Sequence, residues 1–187
     1  ANLHDPFLMK NMDVAIQRIQ DAIHSGEKVM IYGDYDVDGT TAVALVYSYF
    51  KGHFKDIDYY IPDRYDEGYG ISLKGIDYAA QHGFSLIIAL DCGIKAVDKV
   101  KYASEKGIEF IICDHHNPGD EIPDAVAVLD PKQEGCSYPY KELSGCGVGL
   151  KLVQAYCQKT GLPEERFYDY LDLVVVSIAS DIVPITG

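Results

Sequence analysis

A chain of 187 residues with 48% hydrophobic and 24% charged content suits one globular domain with a sizeable core. Its net charge of −13 argues against generic affinity for phosphate backbones, which is mostly electrostatic. No apolar run approaches the roughly 20 residues of a membrane span, and no signal segment is visible.

Met12, Ile16, Ile19 and Ile23 recur at helical spacing, and Gly26 stops that helix. A strand over 28–33 follows, then a helix over 40–51 closed by Gly52, and a strand over 57–61. The turn-rich loop over 62–70 is polar, and Ser72 caps a helix over 73–82 that ends at Gly83. Strand 86–90, helix 95–106 with Gly107 behind it, and strand 109–113 continue the alternation. A strand over 125–129 precedes a long loop to Gly145, and helices over 148–159 and 164–179 complete the pattern. Such alternation predicts an α/β fold, a doubly wound, mostly parallel five-stranded sheet with helices on both faces and right-handed crossovers. It does not fix the strand order.

Five cysteines (Cys92, Cys113, Cys136, Cys146 and Cys157) form no C-x-x-C pair and no zinc spacing, so they read as reduced hydrophobes of a cytoplasmic protein. Acidic segments carry more information. Asp34-Tyr35-Asp36-Val37-Asp38-Gly39, Asp91-Cys92-Gly93 and Asp114-His115-His116 each follow an apolar strand, and Ser180-Asp181 follows an apolar helix. The carboxyl ends of parallel strands share one edge, so these carboxylates should converge on a spot that needs a cation. Alternation along Asp34, Asp36 and Asp38 lets at least two of them face one ion, although a solvated turn with Asp38 as helix cap explains the same string. A calcium EF-hand does not fit, because the required glutamate position is Leu45. Tandem His115-His116 beside Asp114 favours a borderline cation such as manganese over calcium, whereas His4, His24, His53 and His82 are isolated.

Taken in order, Asp34-x-Asp36 with Gly39-Thr40, then Asp91, then Asp114-His115-His116, then Ser180-Asp181 resemble the four motifs of the DHH phosphoesterase superfamily. Tyr32-Gly33-Asp34-Tyr35-Asp36-Val37-Asp38-Gly39, Tyr60-Ile61-Pro62-Asp63-Arg64 with Glu67-Gly68-Tyr69-Gly70, and Ser144-Gly145-Cys146-Gly147-Val148-Gly149 are similar to its RecJ branch of single-strand-specific 5′→3′ DNA exonucleases. A histidine that often opens the first motif of the wider superfamily is absent here, as in that branch.

The resemblance implies a pair of Mn2+ or Mg2+ ions held by Asp34, Asp36, Asp91, His115 and Asp181, with Asp114, His115 and His116 as the catalytic motif. It also implies two-metal hydrolysis of single-stranded DNA to 5′-mononucleotides, in repair and recombination. Arg64 is a candidate phosphate clamp, with a salt bridge to Asp63, Asp66 or Glu67 as the plainer alternative, and Tyr69 a candidate base-stacking group. Gly145 and Gly147 precede a helix and are candidates for cradling a phosphate, or a packing turn; the Walker pattern is absent, since Leu150-Lys151 follows.

Residues 1–187 are expected to form the catalytic part of a longer protein, binding metal but cleaving DNA weakly alone, whose second domain would clamp the DNA and offset the negative charge. Single-strand-binding or helicase partners are compatible with this but not specified. Two rivals remain open: a family member acting on short oligonucleotides, nucleoside bisphosphates or cyclic dinucleotides, and a magnesium-binding flavodoxin-like regulatory module using Lys132.

Overall fold

The computed structural model describes residues 3–163 and 168–184. Its elements are a 3-10 turn (Pro6–Leu8), α1 (Met12–Ser25), β1 (Lys28–Gly33), α2 (Val37–Phe50), β2 (Asp56–Tyr60) and α3 (Leu73–Gln81). They continue with β3 (Leu86–Leu90), α4 (Val97–Glu105), β4 (Glu109–Cys113), β5 (Ala127–Leu129), α5 (Gly145–Thr160) and α6 (Leu171–Asp181). The five strands form one all-parallel sheet in the order β2-β1-β3-β4-β5.

Period-two alternation divides the core between the faces of the sheet. Val29, Ile31, Leu86, Ile88, Leu90 and Ile111 pack with α1, α2 and α5 on one face. Met30, Tyr32, Ile87, Ala89, Phe110 and Ile112 pack with α3 and α4 on the other. The central strands are therefore apolar on both sides, as the near-continuous runs in the sequence require.

Three boundaries differ from the sequence expectation in ways that matter for the site. Helix α2 begins at Val37, not at 40, because the Asp36 carboxylate accepts a hydrogen bond from the Gly39 amide (2.8 Å) and acts as N-cap. Asp38 is thus not the cap but a buried residue of the first helical turn. Helix α5 begins at Gly145, not at 148, because Ser144 Oγ accepts from the Gly147 amide at 3.1 Å. Gly145 and Gly147 consequently lie inside the helix and not in a loop before it. The expected helix over 164–179 starts on residues outside the described ones; its described part is α6, which ends on Asp181.

Register decides where the chemistry falls. Gly33 pairs with Leu90, Leu90 with Cys113, and Cys113 with Leu129. The strands end level, so the residues that follow them, Asp34, Asp91, Asp114 and Asp130, line up along one edge. The order reverses between β1 and β3, which is where open α/β sheets form their ligand crevice.

Candidate metal centre

Asp91 stands at the middle of that edge. Its amide donates to the Cys113 carbonyl (2.8 Å) and extends the β3–β4 ladder by one step. Its backbone then turns to φ 60°, a left-handed conformation that costs a non-glycine residue about 1 kcal/mol. The side chain is 1% exposed, and neither carboxylate oxygen has a hydrogen-bond partner. Burial, then the charges of Asp38, Asp36 and Asp114, push its pKa up to about 10.

Facing it is His115, buried at the end of β4. Its Nε2 lies 3.0 Å from Asp91 Oδ1, 3.5 Å from Asp38 Oδ2 and 3.5 Å from Asp181 Oδ2. That nitrogen also lacks a hydrogen bond, so even the 3.0 Å approach has the wrong geometry for one. One imidazole nitrogen among three carboxylates cannot satisfy them with a single proton. A divalent cation can, and mixed nitrogen and oxygen donors are the set that manganese accepts. Among the described residues two donor groups meet the geometric requirement: Asp91, His115 and His116, and Asp38, His115 and Asp181.

The other strand-end residues hold this constellation in place. Asp114 is buried; its Oδ1 accepts from the His115 amide (2.8 Å) and His116 Nδ1 (2.7 Å), and its Oδ2 from the Ile94 amide (2.9 Å). Burial works against its charge, but the His116 contact and the two amides outweigh it and hold its pKa below the usual carboxylate value. The same contact to Asp114 raises the pKa of His116. With Nδ1 committed to Asp114, the imidazolium would offer its other nitrogen to the surroundings.

Asp38 was not among the ligands anticipated from sequence. Its Oδ2 accepts from the Gly145 amide (2.7 Å), and its Oδ1 from the Cys146 amide and Ser177 Oγ (2.8 Å each). The carboxylate sits at the amino end of α5, where free N–H groups favour an anion. Ser177 Oγ also contacts Ser144 Oγ at 2.6 Å, which ties α6 and Asp181 to the same network. The signal for Asp38 was present: an Asp three residues before Gly39 is a helix cap, which puts Asp38 in the first turn. Asp130 was also passed over; it is fully buried, with Oδ2 unpartnered and a pKa pushed up to about 7 by burial.

Asp34 and Asp36 lie outside both donor groups. Asp34 is fully buried, its two oxygens accepting from the Tyr35 (2.7 Å) and Gly70 (2.7 Å) amides. Asp36 Oδ2 accepts from Tyr69 Oη at 3.3 Å. Arg64 is exposed, its guanidinium 5.7 Å from the ring centre of Tyr35. Among the described residues it makes no ion pair with Asp63, Asp66 or Glu67: Asp66 pairs with Lys74, and Glu67 takes Tyr60, Ser72 and the Asp63 amide. The Gly145 and Gly147 amides are already committed, to Asp38 and Ser144. A Cβ at Gly145 would fall 2.5 Å from Asp91 Oδ1, so this glycine lets α5 press against the carboxylate.

Residues 28–178 match the N-terminal domain of the DHH family. The chain is 46% identical to the single-stranded-DNA-specific exonuclease RecJ of Bacillus subtilis (strain 168), over 99% of this chain and 23% of that protein. Among solved structures it resembles exonuclease RecJ bound to manganese, with a TM-score of 0.86 and 30% identity over 96% of this chain and 45% of the other. It also resembles RecJ in complex with Mn2+ from Thermus thermophilus, with a TM-score of 0.81 and 27% identity over 96% of this chain and 25% of the other. The chain thus spans less than half the length of each of these relatives. A sheet that aligns four aspartates, a histidine wedged among three of the acidic groups, and homology to RecJ over nearly every residue place this chain in the DHH family.

Proposed function

We propose that this chain carries the metal-dependent phosphodiesterase centre of a RecJ-type exonuclease, acting 5′→3′ on single-stranded DNA and releasing 5′-mononucleotides in repair and recombination. The observation that carries the reading is the buried Asp91–His115 pair, whose facing atoms have no hydrogen bond and are flanked by Asp38 and Asp181. Homology to proteins named as single-stranded-DNA-specific exonucleases supplies the substrate class.

In this reading Asp38, Asp91, His115 and Asp181 hold the first cation, Mn2+ or Mg2+. Asp36 and Asp34, whose charges act with that of Asp91 on the Tyr69 phenol, are the proposed donors to a second. Held by these residues, divalent cations would supply polarisation of the phosphodiester and a lowered pKa of bound water. Asp114 keeps the His116 ring fixed and raises its pKa, which favours a proton on its outer nitrogen that could be donated to a phosphate oxygen as negative charge builds. Arg64, with no ion pair among the described residues and beside Tyr35, is retained as a phosphate contact, and Tyr69 as a base contact. Gly145 serves the site by admitting Asp91, and Gly147 by completing the Ser144 cap.

The rest of the relatives' length is the proposed source of a clamping surface that a chain of charge −13 needs for DNA. Single-strand-binding or helicase partners fit that setting. A cytoplasmic location accords with five free thiols; among the described residues no helix is long and apolar enough to cross a membrane.

The strand order β2-β1-β3-β4-β5 is also that of flavodoxin-like regulatory modules, so fold alone does not decide the function. The lysine such a module would use, Lys132, instead faces Glu142 at 3.4 Å. Incubating the manganese-loaded protein with a long 5′-labelled single strand and, separately, with a dinucleotide tests the proposal. Release of labelled mononucleotide from the long strand is the expected result. Hydrolysis of the dinucleotide alone would move the assignment to the short-substrate rival, and inertness on both would remove it.

A further inference from the structure

Beside the metal centre a cleft of about 350 Å³ opens between the 69–71 loop and the 92–96 turn. Ile71, Ile94 and Tyr69 supply apolar lining, His116 forms part of the wall, and Lys95 and Lys99 are its cations. Lys99 lies in the first turn of α4 and Lys95 just before it. Three other lysines have carboxylate partners among the described residues: Lys74 with Asp66, Lys106 with Asp77, Lys132 with Glu142. Among the described residues neither Lys95 nor Lys99 has one. Helix α4 also starts here on Ala96 with no side-chain cap, which adds its positive dipole end, partly offset by Asp98.

Two unneutralised ammonium groups over an apolar wall match the two halves of a nucleotide. Sugar and base need apolar cover, and a phosphodiester needs positive charge. We propose that this cleft is a nucleotide subsite of the substrate strand, in which Lys95 and Lys99 hold the phosphate that adjoins the scissile one at His116. This rests on the phosphodiesterase reading above and extends it to the neighbouring nucleotide. It also gives an acidic chain a local reason to accept a polyanion on one side of its metal centre.

The test compares the manganese-loaded parent with Lys95→Ala/Lys99→Ala and Lys95→Arg/Lys99→Arg. Two substrates are used: a dT20 strand, and the p-nitrophenyl ester of thymidine 5′-monophosphate, a diester with no neighbouring phosphate. For the alanine pair on dT20, KM should rise about ten-fold and the log KM against log salt slope should flatten by about 0.7 to 1.4. The kcat on dT20 and hydrolysis of the small ester should stay within about two-fold of the parent, since neither depends on the second phosphate. The arginine pair should restore KM. An unchanged KM and salt slope on dT20 would overturn the subsite, as would an equal loss on both substrates, which indicates general damage to the centre. A parent that hydrolyses neither diester is a different failure, because it removes the phosphodiesterase reading itself and the subsite with it.

Discussion

Asp91 combines three features that folding normally avoids in one residue: a left-handed backbone, near-complete burial, and a carboxylate without hydrogen bonds. Such a group should oppose folding when no cation is present. Asp91→Asn, which keeps the shape and tolerates positive φ, should therefore melt no lower than the parent in EDTA. It should also lose the rise in Tm that manganese gives the parent, both readable by calorimetry. A parent-like rise in the variant would show that the cation does not depend on Asp91. Gly145→Ala places a methyl group 2.5 Å from Asp91 Oδ1 in a packed region, so it should destabilise the protein by about 1–3 kcal/mol and weaken manganese binding together. Chemical denaturation and a metal titration would measure the two effects. The convergence of Asp91, His115 and Asp181 was legible because Asp91 and Asp114-His115 follow apolar strands and Asp181 an apolar helix, positions that a site or a cap explains. Asp38 was not, since its burial follows from where α2 starts, and that depends on whether Asp36 or Asp38 takes the cap.

Among the polar ties between elements, that of Arg18 is remote from the site. Arg18 of α1 grips Glu27, just before β1, with both guanidinium nitrogens at 2.7 Å, and Ser85 adds a hydrogen bond to Glu27. The Arg18 hydrogen bonds hold the Glu27 pKa below the usual carboxylate value, against some opposing desolvation. A depressed folded-state pKa stabilises the fold above the unfolded value and ceases to do so as pH falls through the folded one. Glu27→Gln should thus lower stability by about 1 kcal/mol at neutral pH, a gap that narrows in acid, measurable by urea titration at several pH values. A gap independent of pH would mean that packing and not charge sets it. Nearer the site, Ser177→Ala removes the hydroxyl that joins α6 to Asp38 and Ser144. It should cost about 1–2 kcal/mol and loosen manganese affinity through Asp181, with Ser177→Thr closer to the parent in a metal titration. At this scale the sequence was most readable for strands and for α1, whose periodicities are regular. It said less about α5, whose three early glycines resemble a loop until Ser144 is seen to cap them. Neighbour relations among strands were not written in any local pattern, because pairing of parallel strands joins residues far apart in sequence.

For the whole molecule, a net charge of −13 and a concentration of carboxylates at one sheet edge would make the proposed cation a structural as well as a chemical partner. Anything that binds only the folded state stabilises it by mass action, by about 4 kcal/mol at a thousand times its Kd. Saturating manganese should raise Tm by several degrees in the parent, and EDTA should reverse the rise; a flat Tm would argue that no cation binds the folded chain. The donors for this ion are gathered from distant parts of the chain, and the Ser177–Asp38 hydrogen bond closes a separation of 139 positions. A ribosome therefore delivers the Asp38 arm long before Ser177 and Asp181 appear. Until then the nascent polypeptide owns an incomplete set of donors, so the proposed activity would have to wait until α6 has emerged and docked.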